Sequence, residues 1–88
     1  MKRSENFVLK DLAGQYVLVP FGEKALAFNG VITLNETGKL FWENLQNDTD
    51  IDMLANLLVE KYNIDKDVAL NDTTKFIESL KEDGCIDE

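Results

Sequence analysis

Short β-branched and aromatic runs fill the first third of the chain. Phe7 to Leu12 and Gln15 to Pro20 are dense in Val, Leu, Tyr and Phe, and Ala13-Gly14 lies between them, so they read as two strands of a hairpin with glycine in the turn. Pro20 has no N–H to donate and suits the end of the second strand, while Gly22-Glu23-Lys24 supplies a further turn. Ala25 to Phe28 favours neither period. Asn29-Gly30 is a tight-turn signal, and the Val31-Ile32-Thr33-Leu34 run after it predicts a third strand over Gly30 to Leu34. These runs compose a small antiparallel meander.

The period changes at Asn35, a good N-cap, because Leu40, Phe41, Trp42 and Leu45 recur at helical spacing. A helix over Glu36 to Gln46 follows, broken by Asn47-Asp48-Thr49. Thr49 with Asp52 three residues on resembles a capping box and opens a second helix, Asp50 to Tyr62, with Ile51, Leu54, Leu57, Leu58 and Tyr62 on one broad face. Asp65 is placed to cap a third, Lys66 to Asp83, with Asp67 in its first turn and Lys81 in its last, as the helix dipole prefers, and Gly84 ends it. Ala69, Thr73, Phe76 and Leu80 make one stripe on that helix, and Leu70, Thr74, Ile77 and Lys81 lie alongside. No internal repeat or low-complexity stretch interrupts the order. Strands followed by helices imply an α+β domain, a three-stranded antiparallel sheet and then three helices, occupying residues 1–88 as a single unit.

Charge changes the picture of partners. Nine Lys and Arg against seventeen Asp and Glu leave a net charge of −8, which opposes phosphate backbones and anionic lipid. Three helices beside a small sheet also describe a winged helix-turn-helix, in which a late helix enters the DNA major groove. On the third helix, however, Lys66, Lys75 and Lys81 face Asp65, Asp67, Asp72, Glu78, Glu82 and Asp83, and no Arg is present there to grip guanine. A DNA-binding regulator is therefore the rival reading, with nucleic acid not expected as a partner.

The residue inventory restricts chemistry further. The chain has no His, and Cys85 is its sole thiol, so neither an internal disulfide nor a His/Cys metal site can form. Asp83 and Asp87 flank Cys85 and oppose a thiolate, which makes it a structural residue whose replacement by Ser should leave stability nearly intact. Asp48, Asp50 and Asp52 alternate like the start of a calcium loop, but Met53 stands where its glycine belongs and Val59 where its glutamate belongs, so they read as helix-start acids. A carboxylate-based enzyme is a third reading for which spacing names no paired site. Trp42 beside Phe41 reads as core rather than a stacking pair. Phe7-Val8-Leu9 gives way at once to Lys10 and Asp11, so no signal peptide is expected, nor any membrane span, and the location expected is cytoplasmic. No cofactor and no metal are expected.

One set of residues resembles a known family. Leu12-Ala13-Gly14-Gln15-Tyr16-Val17-Leu18-Val19-Pro20, then Leu34-Asn35-Glu36-Thr37-Gly38 leading into Phe41-Trp42-Glu43-Asn44-Leu45, Tyr62, Phe76-Ile77 with Leu80, and Gly84-Cys85-Ile86 resemble the PqqD-like proteins, the recognition elements for precursors of ribosomally made, modified peptides. The resemblance runs from about Phe7 to Ile86. It implies a winged-helix-like fold with no catalysis of its own, which binds the leader segment of a precursor peptide and presents it to a modifying enzyme, often a radical S-adenosylmethionine (SAM) protein. It also implies that the leader adds as a strand beside the third strand, against the third helix. The matching positions are Val31, Ile32, Thr33 and Leu34 on the strand and Leu70, Thr73, Thr74, Ile77 and Lys81 on the helix. An edge strand suits that role physically, since its unpaired N–H and C=O groups can be satisfied by an extended peptide. For Ile77 the choice between groove and core stays open, as does a homodimer, and the Phe21 to Asn29 connection bears on whether the third strand is shielded.

Overall fold

A computed structural model describes residues 1–27 and 30–87. In chain order these form β1 (Lys2–Arg3), β2 (Phe7–Leu12), β3 (Gln15–Pro20), α1 (Glu23–Ala27), β4 (Ile32–Leu34), α2 (Glu36–Asn44), α3 (Ile51–Tyr62), α4 (Lys66–Glu82) and β5 (Ile86–Asp87). The three-stranded sheet has the order β2-β3-β4, with both pairings antiparallel. The α+β architecture thus matches the expectation, with one addition: α1 occupies the connection between the second and third main strands, where the sequence suggested a turn at Gly22-Glu23-Lys24. Phe28 and Asn29 lie outside the described residues.

The β2-β3 hairpin closes through a two-residue loop in which Ala13 (φ 55°) and Gly14 (φ 85°) are both left-handed, while Leu12 pairs with Gln15. Two positive φ values give the turn the twist that suits its flanking strands. The Asp11 carboxylate accepts the Gly14 N–H at 2.9 Å and helps hold it. Residues paired across antiparallel strands share a face, so Leu9, Leu18 and Ile32 point together toward the helices.

Helix boundaries follow their caps. Asn35 Oδ1 accepts the Gly38 N–H at 2.8 Å, as the sequence implied. The next helix is capped one residue later than the capping-box pattern suggested: Asp50 Oδ1 accepts from Met53 at 2.8 Å, whereas the Thr49 N–H is spent on the Met1 carbonyl. Asp65 occupies the N-cap position of α4, but its side chain makes no capping bond. The first of the three long helices ends at Asn44 rather than Gln46, where the Leu45 N–H folds back onto the Phe41 and Trp42 carbonyls.

The core between sheet and helices holds Phe7, Leu18, Leu34, Phe41, Trp42, Leu45, Leu54, Leu58, Ile77 and Leu80. Trp42 is buried at its centre as expected, with the Arg3 guanidinium donating to its carbonyl at 2.9 Å. A second, two-stranded ribbon was not anticipated: Lys2 pairs with Asp87 and Arg3 with Ile86. The Ser4 N–H extends the ribbon by donating to the Cys85 carbonyl, and bonds from the Arg3 N–H to the Leu45 carbonyl and from the Cys85 N–H to the Leu80 carbonyl fasten it to the ends of α2 and α4.

Candidate functional site

β4 is an edge strand. Tyr16, Val17 and Leu18 of β3 pair with Leu34, Thr33 and Ile32 on one side, and among the described residues no strand pairs with the other. Its residues alternate as a half-covered strand must: Leu34 is buried, Ile32 half-buried and Thr33 exposed, with Val31 just before the strand and 53% exposed.

The nine site residues expected from the sequence do not share one surface. Val31, Ile32, Thr33, Leu70, Thr74 and Lys81 all reach solvent to some degree. Leu34, Thr73 and Ile77 are buried; Thr73 and Ile77 are 0% exposed and lie on the core side of α4 with Ala69 and Leu80. Ile77 is therefore core. Positions 69, 73, 77 and 80 are spaced 4, 4 and 3 residues apart and form one inward stripe, which displaces Phe76 from the stripe expected for it. Phe76 turns to the shoulder of α4, where its ring meets that of Phe41 at 5.4 Å and 47°.

That displacement helps shape a cavity the sequence did not reveal. It has a volume of 350 Å³ and begins at Asn35, the residue after β4; Phe41 of α2, Tyr62 of α3, Ile64 of the following turn, and Asp72 and Phe76 of α4 line it. None of Leu70, Thr73, Thr74, Ile77 or Lys81 does. Gly38 makes the arrangement compatible with a helix so close to the strand end: a Cβ at this position would stand 3.2 Å from both Leu34 Cβ and Phe76 Cε1. The Leu-Asn-Glu-Thr-Gly segment thus ends the strand, caps the helix and leaves room for the Phe76 ring.

Reactive groups are scarce. Cys85 is fully buried, and burial first, with the nearby Asp83 carboxylate second, pushes its thiol up to about 12 against a lesser downward pull from Lys24. It is a protonated core group at neutral pH. Among the described residues no group of three or more His, Cys, Asp and Glu could hold a metal ion, and no helix is long and apolar enough to cross a membrane.

Comparison with known families places this geometry. The family model described as Coenzyme PQQ synthesis protein D (PqqD) matches residues 8–86. The chain belongs to the PqqD family. Two solved structures share its fold. One is TbiB1 in complex with the TbiA(beta) leader peptide, at a TM-score of 0.78 and 18% identity, covering 97% of this chain and 93% of that one. The other is lasso peptide synthetase B1 complexed with the leader peptide, at a TM-score of 0.75 and 21% identity, covering 96% and 93%. No curated protein matches the chain. Within the PqqD family frame, β4 corresponds to the third main strand and α4 to the third main helix of the expected architecture.

Proposed function

We propose that this PqqD family member is a non-catalytic, single-domain binding protein that recognises the leader segment of a ribosomally made precursor peptide and presents it to a modifying enzyme. The observation that carries the reading is the unpaired edge of β4 in a chain of this family. A peptide laid along Ile32 to Leu34 would complete the ladder on that side, replacing water at backbone groups whose pairing does not depend on peptide sequence. Such a site needs no His, thiolate or metal, which agrees with the residue inventory. The leader peptides bound by the two structurally similar proteins support the choice of ligand class. The radical SAM identity of the enzyme rests on the family resemblance alone, and work in the cytoplasm is the companion reading.

The proposed contact set is Val31, Ile32 and Thr33 with the accessible helix positions Leu70, Thr74 and Lys81, while Leu34, Thr73 and Ile77 back the surface from inside. Amide chemical-shift mapping with the leader of a candidate precursor peptide tests it. Perturbations at Ile32 to Leu34 and along α4 are expected; perturbations confined to Ile51 to Tyr62 would overturn the assignment. The net charge of −8 and the lack of Arg on α4 argue against the DNA-binding alternative, which titration with duplex DNA tests.

A further inference from the structure

We infer that the cavity beginning at Asn35 is a socket for one bulky apolar side chain of the bound peptide, and that it selects a peptide carrying lysine or arginine next to that side chain. This rests on the reading of β4 as the docking edge. With three residues, β4 offers a short ladder, and its backbone hydrogen bonds are individually weak and read no sequence. Discrimination among peptides must come from side-chain pockets.

Two features of the cavity define its occupant. Its walls are aromatic and aliphatic: the Phe41 and Phe76 rings stand 5.4 Å apart, Leu58 and Ile64 add aliphatic surface, and Tyr62, 40% exposed, stands half in solvent. At 350 Å³ it is at the small end of ligand pockets, fitting a side chain better than an extended cofactor. The second feature is charge. Asp72 is the sole ionisable carboxylate or cation among the lining residues, it is exposed, and among the described residues no ion pair engages it. Lys61 Nζ lies 5.8 Å from the centroid of the Tyr62 ring, so that wall carries a cation, but in a chain of net charge −8 a cation beside the seated side chain on the Asp72 side would be attracted, whereas an acidic neighbour there would be repelled. Continuity with the strand also supports the socket, because Asn35 follows β4 directly and Gly38 lets the Phe76 wall approach Leu34.

The test uses methyl-labelled protein and three blocked dipeptides, acetyl-Phe-Lys-amide, acetyl-Phe-Glu-amide and acetyl-Gly-Lys-amide. Acetyl-Phe-Lys-amide should shift the Leu58 and Ile64 methyl signals and bind about two- to fivefold tighter than acetyl-Phe-Glu-amide at low salt, the size of an exposed ion pair. Acetyl-Gly-Lys-amide should leave those methyls unmoved, and Asp72→Asn should bring the two Phe dipeptides to equal affinity. Shifts confined to the Val8, Val19 and Val31 methyls, or equal affinities in the unaltered protein, would overturn the socket. A leader peptide that binds the unaltered protein separates this inference from the reading beneath it. Should the leader perturb Ile32 to Leu34 while Thr37→Trp, at the cavity wall, and Asp72→Asn leave its affinity unchanged, the socket falls and strand addition stands. Dipeptides that load the cavity, together with a leader that leaves β4 unperturbed, would instead retain the pocket and remove strand addition.

Discussion

Thr73→Val should stabilise the protein. The Thr73 hydroxyl is fully buried on the inner stripe of α4 and is the one side-chain oxygen or nitrogen among the described residues that is buried with no hydrogen-bond partner. Leaving a hydroxyl in that state costs about 1–3 kcal/mol relative to its hydration in the unfolded chain. Valine has the same branched shape and a similar helix propensity, so the exchange removes the polar penalty without opening a cavity or losing backbone preference. A gain of about 1–2 kcal/mol follows, and for a domain of this size each kcal/mol raises Tm by about 4–8 °C. The assay is thermal and urea unfolding at neutral pH, read by circular dichroism, with an unchanged urea m-value as the sign that only stability has moved. Because the side chain is sealed from solvent, affinity for a peptide at β4 should be unaffected. If Thr73→Val lowers Tm, the hydroxyl is satisfied in solution, for instance by the Ala69 carbonyl one turn back, and the reasoning fails.

Two further outcomes follow from other residues. Ala13 adopts a left-handed conformation that costs an ordinary L-residue about 1–2 kcal/mol, so Ala13→Asn, which gives the Asn-Gly pair this turn prefers, should raise stability by about 0.5–1 kcal/mol in the same unfolding assay, and a lower Tm would count against the turn geometry. The Cys85 thiol, raised from 9.0 to about 12 on folding, contributes stability that is complete below about pH 9 and lost as pH rises toward 12. Cys85→Ser should remove that alkaline loss while costing about 1–2 kcal/mol at neutral pH by placing a hydroxyl in the core, and an unaltered alkaline transition would show that another group is responsible.

The expectation from sequence that Cys85 is freely replaceable thus yields to its burial, and the reason generalises. Period and capping signals are local, so β2, β3 and the three long helices were legible from alternation, from Asn35 and from the Gly84 stop. Two-residue strands such as β1 and β5 are too short to carry a period, and five-residue α1 lies where the pattern was ambiguous. The order of Phe76 and Ile77 on α4 was not legible for a different reason. Adjacent helical stripes, each with a large apolar residue, differ by about 100° of rotation, and only packing against Phe41 and the strand end decides which faces the core. The cavity went unseen because three helices, the Asn35 cap after β4 and the turn at Ile64 contribute to it. Of the site, the strand was readable; its helix-side walls were not.

The β1-β5 ribbon places residues 2 and 3 directly beside residues 86 and 87, at the opposite end of β2 and β3 from the Ala13-Gly14 loop. Polypeptide entering at one strand and leaving at the other would therefore share a single exit pole. A unit with that geometry can be spliced into a surface loop of a larger protein, or circularly permuted by bridging its ends, without stretching the host backbone. Fusion at either end would hang a tethered enzyme from the same pole, so swapping the fusion order should change its reach toward β4 very little.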